Sequence, residues 1–266
     1  MLDAASFFDL DGFPGKEVFA GTDYVWQGLK NLKAYMDGAC YEPFAHQDLK
    51  DGVPLARPLI FYEEKLQNAE ECTITYGDAT KGKLLVVRNG QELSGASVIM
   101  AGVVITGNSI LLGRGVLIES GALIKEPAII GDQTEVRQGA YLRGYCLVGK
   151  RCVVGHTTEV KHSIFLNDAK AGHFAYLGDS ILGGDANLGA GTKFANLRFL
   201  PGSVKVRTKN GSIDSGLRKF GAILGDRAQT GCNSVTNPGT LIGREGILMP
   251  NTTAPSGYHP AREVIR

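Results

Sequence analysis

The residues best suited to chemistry lie close together in one interval of the chain. Residues 160 to 179 read VKHSIFLNDAKAGHFAYLGD, with His173 near the middle. Imidazole titrates near neutrality, so a positioned histidine can accept a proton as a general base. Other useful groups stand nearby in sequence. Gly189, Ala190 and Gly191 offer backbone N–H groups that a developing oxyanion could approach closely. Asn196 could orient the imidazole, and Arg137, Lys161 and Lys219 could hold a phosphate. Together these types suit a reaction in which a proton leaves, charge builds on an oxygen and a phosphorylated ligand is held.

Such groups need a scaffold, and the scaffold is legible as a period. Steps of six from Leu93 reach Ile99, Ile105, Leu111, Leu117, Leu123 and Ile129. The frame slips by one and resumes at Ile130, Val136, Leu142, Val148, Val154, Val160 and Leu166, then at Leu182, Leu188 and Phe194, and finally from Leu224 to Leu248. Six matches neither a helix nor simple strand alternation; it is the period of a parallel β-helix built from hexapeptide repeats. Three sextets make a triangular coil of about 18 residues, with aliphatic side chains inward and glycine easing the corners. Residues 93–252 then give roughly eight or nine coils. The 36 glycines, about twice the usual ~7% share, fit such corners. A β-sandwich would need strand alternation with turns every ~8–12 residues, which is not seen. The register fails between Leu166 and Tyr176, which predicts that His173 sits on a loop standing off the stacked wall, at a surface groove.

Residues 1–92 follow other patterns and are expected to form a small α+β segment. TDYVWQGLKNLKAYMDG carries Thr22 as N-cap, apolar Val25, Leu29, Leu32 and Met36, and Gly38 as a stop. PLIFYEE, CTITYG and KLLVVRNGQEL read as strands, the last with an Asn89-Gly90 turn. This segment is expected to cap the first coils and shield the end of the core. Residues 253–266 are expected to form a C-terminal tail. Lys+Arg 28 against Asp+Glu 27 gives a net charge of +1, which supplies no general attraction for nucleic acid or an anionic membrane. No apolar run approaches the ~20 residues of a membrane span, and the acidic N-terminus is unlike a signal peptide, so the expectation is a soluble cytoplasmic protein. The five cysteines, without a CxxC pair, read as buried reduced thiols rather than disulfides or metal ligands.

The stretch EVKHSIFLNDAKAGHFAYLGDSILGGDANLGAGTKFAN resembles the acetyltransferase half of the bifunctional glucosamine-1-phosphate acetyltransferase/N-acetylglucosamine-1-phosphate uridylyltransferases. The matching pieces are Glu159-Val-Lys161, Lys170-Ala-Gly-His173, Tyr176-Leu-Gly-Asp179, Asn187-Leu-Gly-Ala-Gly-Thr192 and Asn196, and their mutual spacing fits without gaps. The resemblance covers about residues 93–250. It implies a left-handed β-helix, a homotrimer with its site between chains, and acetyl-CoA as co-substrate for an amino-sugar phosphate or a nucleotide-linked amino sugar. It further implies that Glu159, Tyr176 and Asn187 contact the sugar and that Ala190 and Cys232 lie beside the CoA. Cys232 stands where the family has a small hydroxyl residue, and Leu197 replaces an aromatic. An inserted loop, residues 199–220, and the lack of a glycine-rich nucleotide signature in residues 1–92 point to the archaeal-type sugar-1-phosphate nucleotidylyltransferase/acetyltransferases without their nucleotidyltransferase domain, with a separate nucleotidyltransferase subunit as a candidate partner.

Two other readings share the β-helix. A zinc hydrolase of the γ-carbonic anhydrase kind needs three converging histidines; His156 and His162 are six apart, so on a six-residue period they fall on neighbouring faces, and no metal site is expected. A non-catalytic scaffold or sugar-nucleotide-binding regulatory subunit would keep the fold without needing the intact set of His173, Asn187 and Asn196.

Overall fold

The computed structural model describes residues 2–41 and 44–266. From Ser97 onward the chain winds into a three-sided parallel β-helix. Face I carries nine parallel strands from Ser97–Ile99 to Val264–Ile265, and faces II and III carry eight each, from Val104–Thr106 to Thr253–Ala254 and from Ile110–Leu112 to Gly257–His259. Strands of successive coils pair in parallel, so the backbone groups of each coil are satisfied by the coils before and after it. The interior is a continuous aliphatic column.

The inward residues are not those of a strict six-residue count. Leu112, Ile118, Ile124 and Ile130 fill the column, whereas Leu117 and Ile129 lie on outer faces under other elements. The frame therefore shifts between Ile105 and Leu112 rather than at Ile129. Later the column runs through Val160, Phe165, Ala171, Leu177, Leu182 and Leu188, and Leu166 packs outside it. The cause is a corner. Between faces II and III, one coil has Gly144-Tyr145 and the next has His162 alone, so the spacing of paired residues falls from 18 (Tyr141 to Glu159) to 17 (Glu159 to Tyr176). The apparent break around His173 is this one-residue loss. His173 itself ends the strand Lys170–His173, in register with His156 of the coil below, and is not on a loop.

The expected cap is divided among several places. Residues 59–68 form an antiparallel pair whose first strand, Leu59–Tyr62, joins the edge strand Ser97–Ile99 and covers the end of the sheet; Phe44, Leu55 and Leu59 close the core there. The three-stranded sheet Cys72–Thr75, Leu85–Arg88 and Gln91–Glu92, with Asn89 and Gly90 both at positive φ, lies over face I. Helix α1 (Ala4–Phe7) and helix α2 (Gln27–Asp37) instead cover the outer side of face III, where Phe7, Trp26, Leu29, Leu32 and Met36 meet Leu147, Ile164, Ile181 and Ile223. Thr22 is not the cap of α2: its hydroxyl donates to the Phe19 carbonyl, and the helix starts at Gln27, whose side chain accepts from the Asp23 and Tyr24 N–H groups.

The C-terminal residues are not a tail. Thr253–Ala254, Gly257–His259 and Val264–Ile265 add a last coil in register. Residues within the 199–220 insertion form a hairpin, Lys205–Thr208 with Gly211–Asp214, rather than a plain loop. Cys146 and Cys152 are buried, which pushes both thiols up to about 12, but Cys40 and Cys232 are exposed and Cys72 is half-buried. No helix is long and apolar enough to cross a membrane among the described residues.

Candidate active site

The corner between faces I and II repeats once per coil, so its residues stack in columns. One column is a ridge of Gln138, His156, His173, Ala190 and Cys232, and the column beside it holds Arg137, Gly155, Gly172, Gly189 and Gly231. Four successive glycines leave the wall without side chains alongside His173. At ~4.8 Å between neighbouring strands, this bare strip runs about 14 Å parallel to the helix axis. A Cβ on Gly172 would meet nothing within 4 Å, so the strip opens outward there. The exposed Lys170 and Asn187 form its other border.

His173 is exposed, and among the described residues its imidazole has no hydrogen-bond partner within the chain; its closest ring neighbour is Phe174, with centroids 6.1 Å apart. Phe174 is itself exposed at φ 53, in the left-handed region that Gly139, Thr157, Gly191 and Asn233 occupy at the equivalent corners of other coils. Of the three backbone donors expected for an oxyanion, two are in use: Gly189 N–H donates to the Thr230 carbonyl and Gly191 N–H to the His173 carbonyl. The Ala190 N–H is left without a partner among the described residues, one coil beyond His173 on the same ridge.

Arg137 is engaged within the chain. Its guanidinium grips the buried Glu135 carboxylate at 2.8 and 2.9 Å, and Glu135 also accepts from the Ala79 N–H, so this pair fastens the N-terminal segment to the β-helix. Cys232 stands on the ridge beyond Ala190.

A second group gathers at the other edge of face II. Asp179, buried, accepts from the Asn196 side chain at 2.6 Å and is bonded to His162 Nδ1 at 3.1 Å, with Lys161 Nζ 3.7 Å away. Tyr176 Oη reaches Asn196 Oδ1 at 3.4 Å, lying across Gly178, where any Cβ would strike both side chains. Lys219 is exposed beside them, paired through its backbone with Leu197. Asn196 therefore braces Asp179 and Tyr176, and within one chain it lies across the width of face II from His173. Glu159 sits between the two groups in an ion pair of 2.6 Å with Arg143.

Arg143, Asp179 and His162 were missed by sequence reasoning. Their signal was positional: Arg143 precedes Lys161 by one full coil, and His162 and Asp179 are the successive occupants of one corner. Burial raises the Asp179 pKa, but hydrogen bonding to His162, the Lys161 charge and Asn196 outweigh it, so the carboxyl lies below its ordinary value. A carboxylate lowered in this way contributes stability above the unfolded pKa of ~3.9 and loses it as pH falls through the folded value. Asp179→Ala is expected to cost about 2 kcal/mol in urea unfolding at pH 7, because Asn196 and His162 lose an acceptor away from bulk water. The deficit should shrink on acidification below pH 4; an unchanged deficit would refute the charged role.

Similarity to known proteins falls on the same stretch. The model of the GMPPB C-terminal domain matches residues 124–212. A bifunctional sugar-1-phosphate nucleotidylyltransferase/acetyltransferase of Sulfurisphaera tokodaii is 40% identical over 111 residues, 42% of this chain and 28% of that protein. Over that stretch, this chain is similar to the bifunctional acetyltransferases. A bifunctional GlmU protein of Methanocaldococcus jannaschii is 38% identical over 104 residues, 39% of this chain and 25% of that one. The chain thus spans about a quarter of the length of the curated relatives it matches. A solved structure, the acetyltransferase domain of PglB from Neisseria gonorrhoeae, aligns over 58% of this chain and 50% of its own at 12% identity, with a TM-score of 0.24.

Proposed function

We propose that the chain is an acetyl-CoA-dependent N-acetyltransferase acting on an amino-sugar phosphate or a nucleotide-linked amino sugar, with His173 as general base. The observation that carries this reading is the exposed His173 imidazole beside a glycine strip, with the unpartnered Ala190 N–H one coil away. An extended pantetheine arm is the kind of ligand that a narrow strip without side chains accommodates. The acceptor amine attacks the thioester carbonyl carbon as His173 removes its proton. Ala190 N–H donates to the oxygen as it gains charge, the C–S bond breaks, and the proton passes to the departing thiolate. Cys232, exposed on the ridge, would lie alongside the CoA.

The acceptor site is assigned to the second group. Lys161, with its side chain about one third exposed, and the exposed Lys219 face a phosphate, while Glu159 and Tyr176 contact the sugar from this group and Asn187 contacts it from the border of the glycine strip on face I. His173 and the Lys161–Asp179–Asn196 group lie at opposite edges of face II, so they complete one site when the edge of one copy meets the opposite edge of another. A homotrimer closes such a heterologous contact, and sedimentation that finds only monomer at micromolar concentration would remove this part of the proposal. Mass-spectrometric acetyl transfer from acetyl-CoA to a panel of amino-sugar phosphates and nucleotide-linked amino sugars tests the whole; no transfer to any of them refutes it. Lys161→Ala should raise the acceptor KM about tenfold with kcat little changed, since a phosphate contact is present in ground and transition states alike.

A further inference from the structure

The hairpin inserted after Asn196 builds a pocket of its own. A cavity of about 550 Å³ lies between Ala195 and Leu197 on one side, the outer face of the strand Lys205–Thr208 on another, and Asn237, Pro238 and Ser256 of the following coils. Its size is within the ~300–1,000 Å³ typical of small-molecule sites. Alternation along the strand turns Val206 into the apolar cluster against α2 and leaves Lys205 and Arg207 outward into the cavity. Arg198 adds a third cation, held by a bond of 2.6 Å to the Ser203 carbonyl. Among the described residues no carboxylate lines the cavity, and Arg198, Lys205 and Arg207 make no direct ion pair. Asp214, opposite Lys205 by register, lies outside the lining; hydrogen bonds from Ser203 and the Gly216 N–H, with the Lys205 charge, hold its carboxyl below the usual range.

Phe199 is fully exposed on the rim, and Leu200 is 68% exposed next to it. The hairpin is seated firmly: a Cβ on Gly239 would come 2.7 Å from Val204, and one on Gly257 2.8 Å from the Arg207 carbonyl, so only glycine corners let the strand approach this closely. Three cations with no carboxylate between them, an accessible aromatic face and a preformed cavity next to Asn196 match a ligand with phosphates at one part and a flat ring at another.

We propose that this pocket binds the nucleotide end of a substrate. The chemistry is that of a nucleoside diphosphate: Lys205, Arg207 and Arg198 hold phosphate oxygens, and Phe199 stacks on the base. This deepens the acetyltransferase reading, on which it rests for the identity of the substrate. Two sources supply such a group, the 3′-phospho-ADP end of CoA and the nucleotide of a nucleotide-linked amino sugar.

Calorimetric titration of the whole chain with adenosine 3′,5′-bisphosphate and, separately, with UDP, dTDP and GDP tests the site without requiring catalysis. At least one should bind with a Kd below about 1 mM, an affinity ordinary for a ligand of this size. Arg207→Glu should weaken it at least tenfold, Arg207→Lys should restore most of the affinity, and Phe199→Ala should cost about fivefold or more. Binding of the bisphosphate alone assigns the pocket to CoA, and binding of a nucleoside diphosphate alone assigns it to the acceptor. Binding that is unchanged in Arg207→Glu, with the circular dichroism of the wild type, places the nucleotide elsewhere and overturns the proposal. So does the absence of binding, most directly if Phe199→Ser then abolishes self-association, which would make the rim a protein contact. A chain that binds nucleotide here yet transfers no acetyl group would sink the acetyltransferase reading and leave the pocket standing.

Discussion

His173→Ala should lower kcat for acetyl transfer by ~10²–10⁴-fold, the range a positioned general base contributes. Folding should be little affected, within about 0.5 kcal/mol, because the side chain is exposed and its ring neighbour Phe174 is exposed too. The KM for acetyl-CoA should stay within about twofold, since the imidazole's proposed work is done in the transition state. A variant that transfers acetyl at the wild-type rate would remove His173 from the mechanism. One that melts far below the wild type would instead make the histidine a structural residue of the ridge.

Much of this is legible in the sequence. A column of aliphatic residues every six positions can be buried only by coiling, so the β-helix followed directly from Ile99, Ile105, Val136, Leu142 and their successors. The unequal sides of the triangle were not readable. A coil divides as 5, 7 and 6 residues from Tyr141 through Cys146 and Val153 to Glu159, and a strict count drifts by one at the short corner. That drift made Leu166 look inward when Phe165 is, and turned a strand-end histidine into a supposed loop. Site residues divide in a similar way. His173, Lys161 and Tyr176 are found at accessible positions, but Arg137 is consumed by Glu135, whose own role depends on Ala79, more than fifty residues away in sequence. A free donor such as the Ala190 N–H is invisible to sequence, because it is defined by which neighbours already have partners. The covering of face III by α1 and α2 was equally unreadable. Amphipathic Leu29, Leu32 and Met36 require an apolar surface, and both the end and the side of the β-helix offer one.

The second large effect is expected at a residue with no side chain. Gly172→Leu should leave the β-helix intact: its φ is not in the left-handed region, and a Cβ there meets nothing within 4 Å. Replacing a glycine at a compatible backbone even limits the unfolded chain, adding about 0.5 kcal/mol of stability. The isobutyl group would nevertheless project into the strip beside His173. If the pantetheine arm lies there, kcat/KM for acetyl-CoA should fall by about 10²-fold, the scale of a small misplacement at a reacting centre, with saturation by the acceptor unchanged. The neighbouring glycines separate blockage from collapse. At Gly155 a Cβ would strike the Gly172 backbone, and at Gly189 it would come 2.5 Å from the Gly231 carbonyl carbon, so alanine at either should cost several kcal/mol and lower the melting temperature. Gly172→Leu alone should therefore combine a wild-type melting temperature with lost donor affinity. Unchanged kinetics with acetyl-CoA would show that the donor takes another path, and the strip would then be only what lets the coils of face I approach one another.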